Sequence, residues 1–161
     1  MMIRLLPLIL VLLSSLAVAQ ECHLTPGWGA MKPVDIVLQQ GGKNISMAIR
    51  VADDALQRAA GYQWICERDA VGTAVLFVFP DTLHSSFHMR NVYVPLDIYF
   101  FDASGNQVDA MVMRPEPPGK GLSPRYYQPA GSFKYALEIA RQQSHQLDST
   151  PAPMRLLPDS L

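Results

Sequence analysis

Three polar residues in the middle of the chain, Arg58, Asn91 and Asp97, are the first candidates for chemistry. A guanidinium is a planar fork that matches a carboxylate through two parallel hydrogen bonds. Arg58 is therefore expected either to reach Asp97 or, with Asn91, to cradle an anionic or amide ligand. Asn91 and Asp97 also flank residues 92–96, and both types pin turns, Asn by capping and Asp by accepting backbone amides. Since buried pairs often fix geometry without acting on a ligand, the structural and the binding roles both stay open.

A second set is His84 and His88, four apart, with Met89 beside the latter and Met111 and Met113 further on. Imidazole and thioether donors suit copper, so His84, His88 and Met89 form a candidate metal set. Against it, residues four apart lie about 13 Å apart along a strand, and methionine more often fills a core. A third set, Arg125 and Tyr126 with Tyr127, stands in a segment of five prolines and three glycines spanning residues 114–131. Long ordered loops are often functional, and Arg or aromatic anchors can hold a ligand or partner. The segment is expected to lie over the pocket as a lid, although tyrosines also pack loops down.

Known enzyme signatures are missing: there is no Gly-x-Ser-x-Gly elbow, phosphate loop, His-Glu-x-x-His or dinucleotide fingerprint. Ser85 and Ser86 neighbour His84 only in sequence, which is not the geometry catalysis needs. Glu116, Asp97 and Glu138 could supply a carboxylate pair, but nothing selects two of them. No motif requires a cofactor.

The compartment follows from the first nineteen residues. A basic start at Arg4, an apolar run over residues 5–16 and Ala17-Val18-Ala19 before Gln20 read as a signal peptide, residues 1–19. No later stretch approaches the ~20 apolar residues of a membrane helix, so the mature chain is expected to be exported, periplasmic or secreted, without a transmembrane segment. In an oxidising compartment paired thiols persist, and Cys22 and Cys66 lack the Cys-x-x-Cys spacing of redox or metal sites. A disulfide between them is expected, worth about 4 kcal/mol in the chain-entropy model. Taking Arg4 from 13 basic residues leaves 12 against 14 acidic, a mature charge of −2. That balance, without a basic cluster, argues against nucleic acid as a partner.

The elements that must position these residues are mostly strands. Alternating apolar positions from Val34 and again from Ile45, separated by Gly41-Gly42, predict a hairpin. Residues 53–61 change to helical period, with Asp53 as a cap and Gly61 as a stop. Residues 73–79 read as a buried strand closed by Pro80, and residues 85–91 and 97–101 as further strands. Asp102 to Asn106 turns the chain into residues 107–113. Residues 134–140 could be strand or helix. The expected architecture is mostly β (α+β), a compact closed or nearly closed β-barrel-like domain with one or two short helices. Residues 20–33 form an N-terminal arm, 34–147 a single β-rich domain and 148–161 a flexible C-terminal tail.

From Arg58 to Asp109 the chain resembles the bacterial and archaeal family known as domain of unknown function 192. The motifs are Arg58-Ala59-Ala60-Gly61-Tyr62-Gln63, Val75-Leu76-Phe77-Val78-Phe79, Phe87-His88-Met89-Arg90-Asn91-Val92 and Pro95-Leu96-Asp97-Ile98-Tyr99-Phe100, with Tyr135-Ala136-Leu137-Glu138-Ile139 similar to the family's closing strand. The resemblance implies a compact β-rich fold, often exported, and no established reaction. Gln63, His88 and Val92 depart from it, standing where the family usually has Met, Trp and Thr. If those positions share a pocket, its chemistry here is altered. The reading that results is an exported, non-catalytic module binding a small molecule or an envelope protein through Arg58, Asn91, Asp97, Arg125 and Tyr126. The alternatives are a hydrolase or transferase using the same cleft and a periplasmic copper-handling protein.

Overall fold

A computed structural model describes residues 21–119, 123–144, 147 and 153–157. The signal peptide expected at residues 1–19 lies outside the described residues. The described residues form nine strands and three short helices, arranged as α1 (Pro26–Ala30), β1 (Lys32–Gln40), β2 (Lys43–Ala52), α2 (Ala55–Ala60), α3 (Glu67–Ala70), β3 (Ala74–Leu83), β4 (Phe87–His88), β5 (Leu96–Phe101), β6 (Gln107–Met113), β7 (Tyr126–Tyr127), β8 (Phe133–Ala140) and β9 (Met154–Leu156). The fold is mostly β, as expected.

Seven strands form one sheet in the order β6-β5-β8-β3-β2-β1-β9. The β1–β2 hairpin turns through Gly41 and Gly42, both at positive φ, which such a tight reversal demands. The chain then leaves the sheet through α2 and α3 and returns as β3, parallel to β2; the other pairings in the sheet are antiparallel. The sheet curls until its edges approach: Asn106 bridges Arg155, the Leu156 amide donates to the Gly105 carbonyl at 2.8 Å, and the Met154 amide donates to Gln107 Oε1 at 2.8 Å. It does not close into a continuous barrel.

In β8 and the first half of β3 both faces are buried. The face enclosed by the curl carries Ile36, Leu38, Met47, Ile49, Leu76, Leu137, Ile139 and Leu156. The opposite face, with Phe77, Leu96, Ile98, Phe100 and Ala136, is covered by Trp28, Tyr62, Ile65, Met89 and Val92. This double cover explains β8, whose residues 135–140 are all buried. A strand buried on two sides loses the alternation that distinguishes it from a helix, which is why residues 134–140 were ambiguous in sequence.

Three local expectations are corrected. Of residues 85–91 only Phe87–His88 is strand, paired with β7 in a separate ribbon. Pro80 does not end β3, which continues to Leu83 through a register shift between Val78 and Leu83; Pro is tolerated where the ladder is interrupted. Within the tail expected to be flexible, Met154–Leu156 is ordered as β9 on the free edge of β1, with Met154 and Leu156 buried. The arm is also held: Cys22 and Cys66 form the expected disulfide, and the His23 amide donates to the Trp64 carbonyl at 2.7 Å.

Candidate functional site

On the outer face of the sheet, α2, β3, β4 and β8 surround a cleft of about 290 Å³. Its base is Glu138, placed on the same face of β8 as Ala136 and Ala140 because side chains alternate along a strand. Glu138 is 4% exposed. Among the described residues no donor reaches its carboxyl group, and burial pushes its pKa up to about 8. An unpaired buried carboxyl is costly, and its placement at a cleft rather than inside solid core makes it a site candidate.

The walls are aromatic. Phe87 meets Phe77 edge-on at 5.2 Å and Phe79 at 6.5 Å between ring centroids, and all three rings line the cleft. Gly61, at φ +45°, passes beside Glu138; a Cβ there would stand 3.3 Å from the Phe77 ring. Tyr62 follows, its hydroxyl donating to the carbonyls of Thr73 and Glu138. Burial, reinforced by the Glu138 charge, raises the Tyr62 pKa well above its ordinary value.

Arg58 lies in the last turn of α2, which Asp54 caps through the Gln57 amide at 2.8 Å. Its Nη1 donates to the carbonyls of Asp53 and, at 3.0 Å, Val78, and the guanidinium lies over the Phe79 ring at 5.4 Å. The expected contact with Asp97 is absent. Asp97 stands opposite Ile139 on the enclosed face of the sheet and approaches Arg141 at 3.9 Å instead. A strand position one residue away from Leu96 and Ile98 points through the sheet, away from Arg58.

Asn91 does not line the cleft but stands behind it. At φ +61° its amide donates to the Glu116 carbonyl, its carbonyl accepts from Trp64, and its Nδ2 reaches Gln63 Oε1 at 3.4 Å. It therefore positions Gln63, which does line the cleft. Arg125 and Tyr126 are exposed and outside the cleft, Tyr126 pairing with His88 across the ribbon with their ring centroids 6.4 Å apart. The described residues of the 114–131 segment brace the wall from behind rather than roofing it: Tyr127 pairs with Phe87 across the ribbon, and its hydroxyl accepts from the Arg114 amide.

The three candidate metal donors are separated. His84 bonds to the Pro129 carbonyl at 3.0 Å, His88 lines the cleft, and Met89 is fully buried in the core. Among the described residues there is no group of three or more His, Cys, Asp or Glu placed to hold a metal ion.

A family model described as DUF192, an uncharacterized ACR, matches residues 36–151. This chain belongs to DUF192. Two solved structures share the DUF192 chain's fold at a TM-score of 0.63. One is a candidate transcription regulator from Sinorhizobium meliloti 1021, 20% identical over 78% of this chain and 95% of its own. The other is a protein of unknown function from Novosphingobium aromaticivorans DSM 12444, 19% identical over 87% of this chain and 93% of its own. No curated protein matches the chain.

The three departures from the DUF192 motifs, Gln63, His88 and Val92, all line the cleft beside Glu138. Glu138 itself was not selected from sequence. Its only signal is a lone acid inside an apolar run, and that signal acquires meaning once both faces of β8 are seen to be covered.

Proposed function

We propose that this DUF192 protein is an exported, non-catalytic module that holds a small molecule in the Glu138 cleft. The observation that carries the reading is the buried carboxyl, without a hydrogen-bond partner among the described residues, at the base of an aromatic-walled cleft. Pockets of this kind bind through an apolar lining and a few polar groups that fix orientation; here those groups are Glu138, Gln63, His88 and Arg58. The disulfide supports export, since such bonds persist in oxidising compartments, as do the leader-like residues 1–19. Among the described residues no helix is long and apolar enough to cross a membrane. The regulator role belongs to the Sinorhizobium protein's description. A chain of net charge −1 offers little to a phosphate backbone.

A hydrolase or transferase is the second reading, favoured by Glu138: a carboxyl group whose pKa burial raises to about 8 could donate a proton at neutral pH. Ser85, Ser86 and His88 border the same cleft, but no Ser–His hydrogen bond joins them among the described residues.

The test has two parts. The mass of the protein recovered from the envelope fraction is expected to begin at Gln20. A thermal-shift screen of that oxidised protein against amines, carboxylates, amides, sugars, nucleotides, Cu(II) and Zn(II) is expected to find a small organic ligand. At a hundred times its dissociation constant a ligand adds about 2.7 kcal/mol and moves the midpoint by several degrees. No shift across the panel would replace the small molecule with an envelope protein. Turnover of the shifting compound would favour the enzyme.

A further inference from the structure

Glu138 ionised is an acceptor only, and nothing in the described protein donates to it. A ligand that seats there with the carboxylate charged must bring its own donors and a positive charge. A primary ammonium group brings three donors and the charge together. Around it, the rings of Phe77 and Phe87 line the cleft and offer apolar contact, and an aromatic ring can also attract a cation. Phe79 already carries the Arg58 guanidinium. Arg58, in turn, spends one nitrogen on two backbone carbonyls, and the Glu138 pKa is raised by burial.

We propose that the cleft selects a primary amine with a small apolar body, its ammonium group paired with the Glu138 carboxylate and its body against Phe77 and Phe87. This rests on the small-ligand reading above and names the ligand class. The titratable or charged groups lining the cleft with Glu138 are Arg58 from α2, Tyr62 after it and His88 from β4.

The free protein makes the proposal distinctive. Glu138 holds its proton up to about pH 8, and an arriving ammonium must displace it. Binding then releases about one proton near pH 6.5, and affinity rises about tenfold per pH unit until it levels off above the Glu138 pKa. A carbonyl or amide ligand would behave oppositely, accepting a hydrogen bond from the neutral acid and weakening as the pH passes the same point.

Calorimetry on the oxidised chain with phenethylamine, phenylacetamide and 3-phenylpropionate, at about pH 6.5 to 8.5 in two buffers of different ionisation heat, reads the proton directly. The expected result is binding of phenethylamine with proton release and rising affinity, and at least about a tenfold loss in E138Q, a variant that mimics the neutral acid. Preference for the amide or the carboxylate would overturn the amine while leaving a small-ligand site in place. So would amine binding that ignores both pH and E138Q. If none of the three binds, the amine proposal fails and the broader ligand panel alone decides the small-molecule reading. The pH series on the unaltered chain stands even if the variant does not fold.

Discussion

The unfolded chain ionises Glu138 at the ordinary value of 4.5, whereas the folded protein keeps the proton until about 8. Between those points the native state binds one proton more than the unfolded state, so stability falls as pH rises. The loss is complete above the folded value and is on the order of 5 kcal/mol. Tyr62, also raised by burial and by Glu138, ionises later and stays out of this window. E138Q removes the titration, so its urea midpoint is expected to stay nearly level between about pH 5 and pH 9 while that of the natural chain drops. Parallel profiles would mean that water or rearrangement already solvates the carboxyl group.

At the scale of elements, the covering layer depends on a close approach. Gly27 of α1 sits against α2, and a Cβ added there would lie 2.6 Å from Ala60 Cβ and 2.8 Å from the Leu56 carbonyl oxygen. Gly27→Ala is expected to lower stability by about 1–3 kcal/mol, the usual cost of overpacking. Gly29→Ala, two residues along with open space around it, is the control and is expected to change little; equal thermal midpoints for the two variants would show that the helices separate freely. These packing demands explain what was readable in sequence. The β1–β2 hairpin and α2 were legible because each rests on local chemistry: paired glycines at the turn, a capping aspartate, a glycine stop. The cap itself is Asp54, one position after the Asp53 expected. β4 was overdrawn because β-prone residues around Phe87 serve a two-residue ribbon, and only the partner, Tyr126–Tyr127, sets its length. The site was half legible. Arg58 and His88 line the cleft, but Asp97, expected within reach of Arg58, lies on the other face, because nothing in a short run around Pro95 reveals which side of the sheet each residue meets.

For the whole molecule, the last described strand fastens one edge of the sheet to the other. A chain ended at Leu147 loses β9, and with it the buried Met154 and Leu156 and the contacts to Gly105 and Gln107. Burying such side chains contributes about 1.5–3 kcal/mol each, so the truncation is expected to destabilise by about 3 kcal/mol or more in urea unfolding. An unchanged midpoint would make β9 an ornament of the fold.

The position of β8 has a consequence for the order of events in the cell. It is an interior strand of the sheet, flanked by β3 and β5, yet it comes from residues 133–140, after both of them in sequence. While the ribosome is still making the first hundred residues, β3 and β5 have no strand to join them, and neither face of the sheet can be sealed. Assembly that waits on distant partners is slow to begin. The join between β3 and β5 therefore cannot form until residues 133–140 have been made, and the strands before them must wait unpaired on that side.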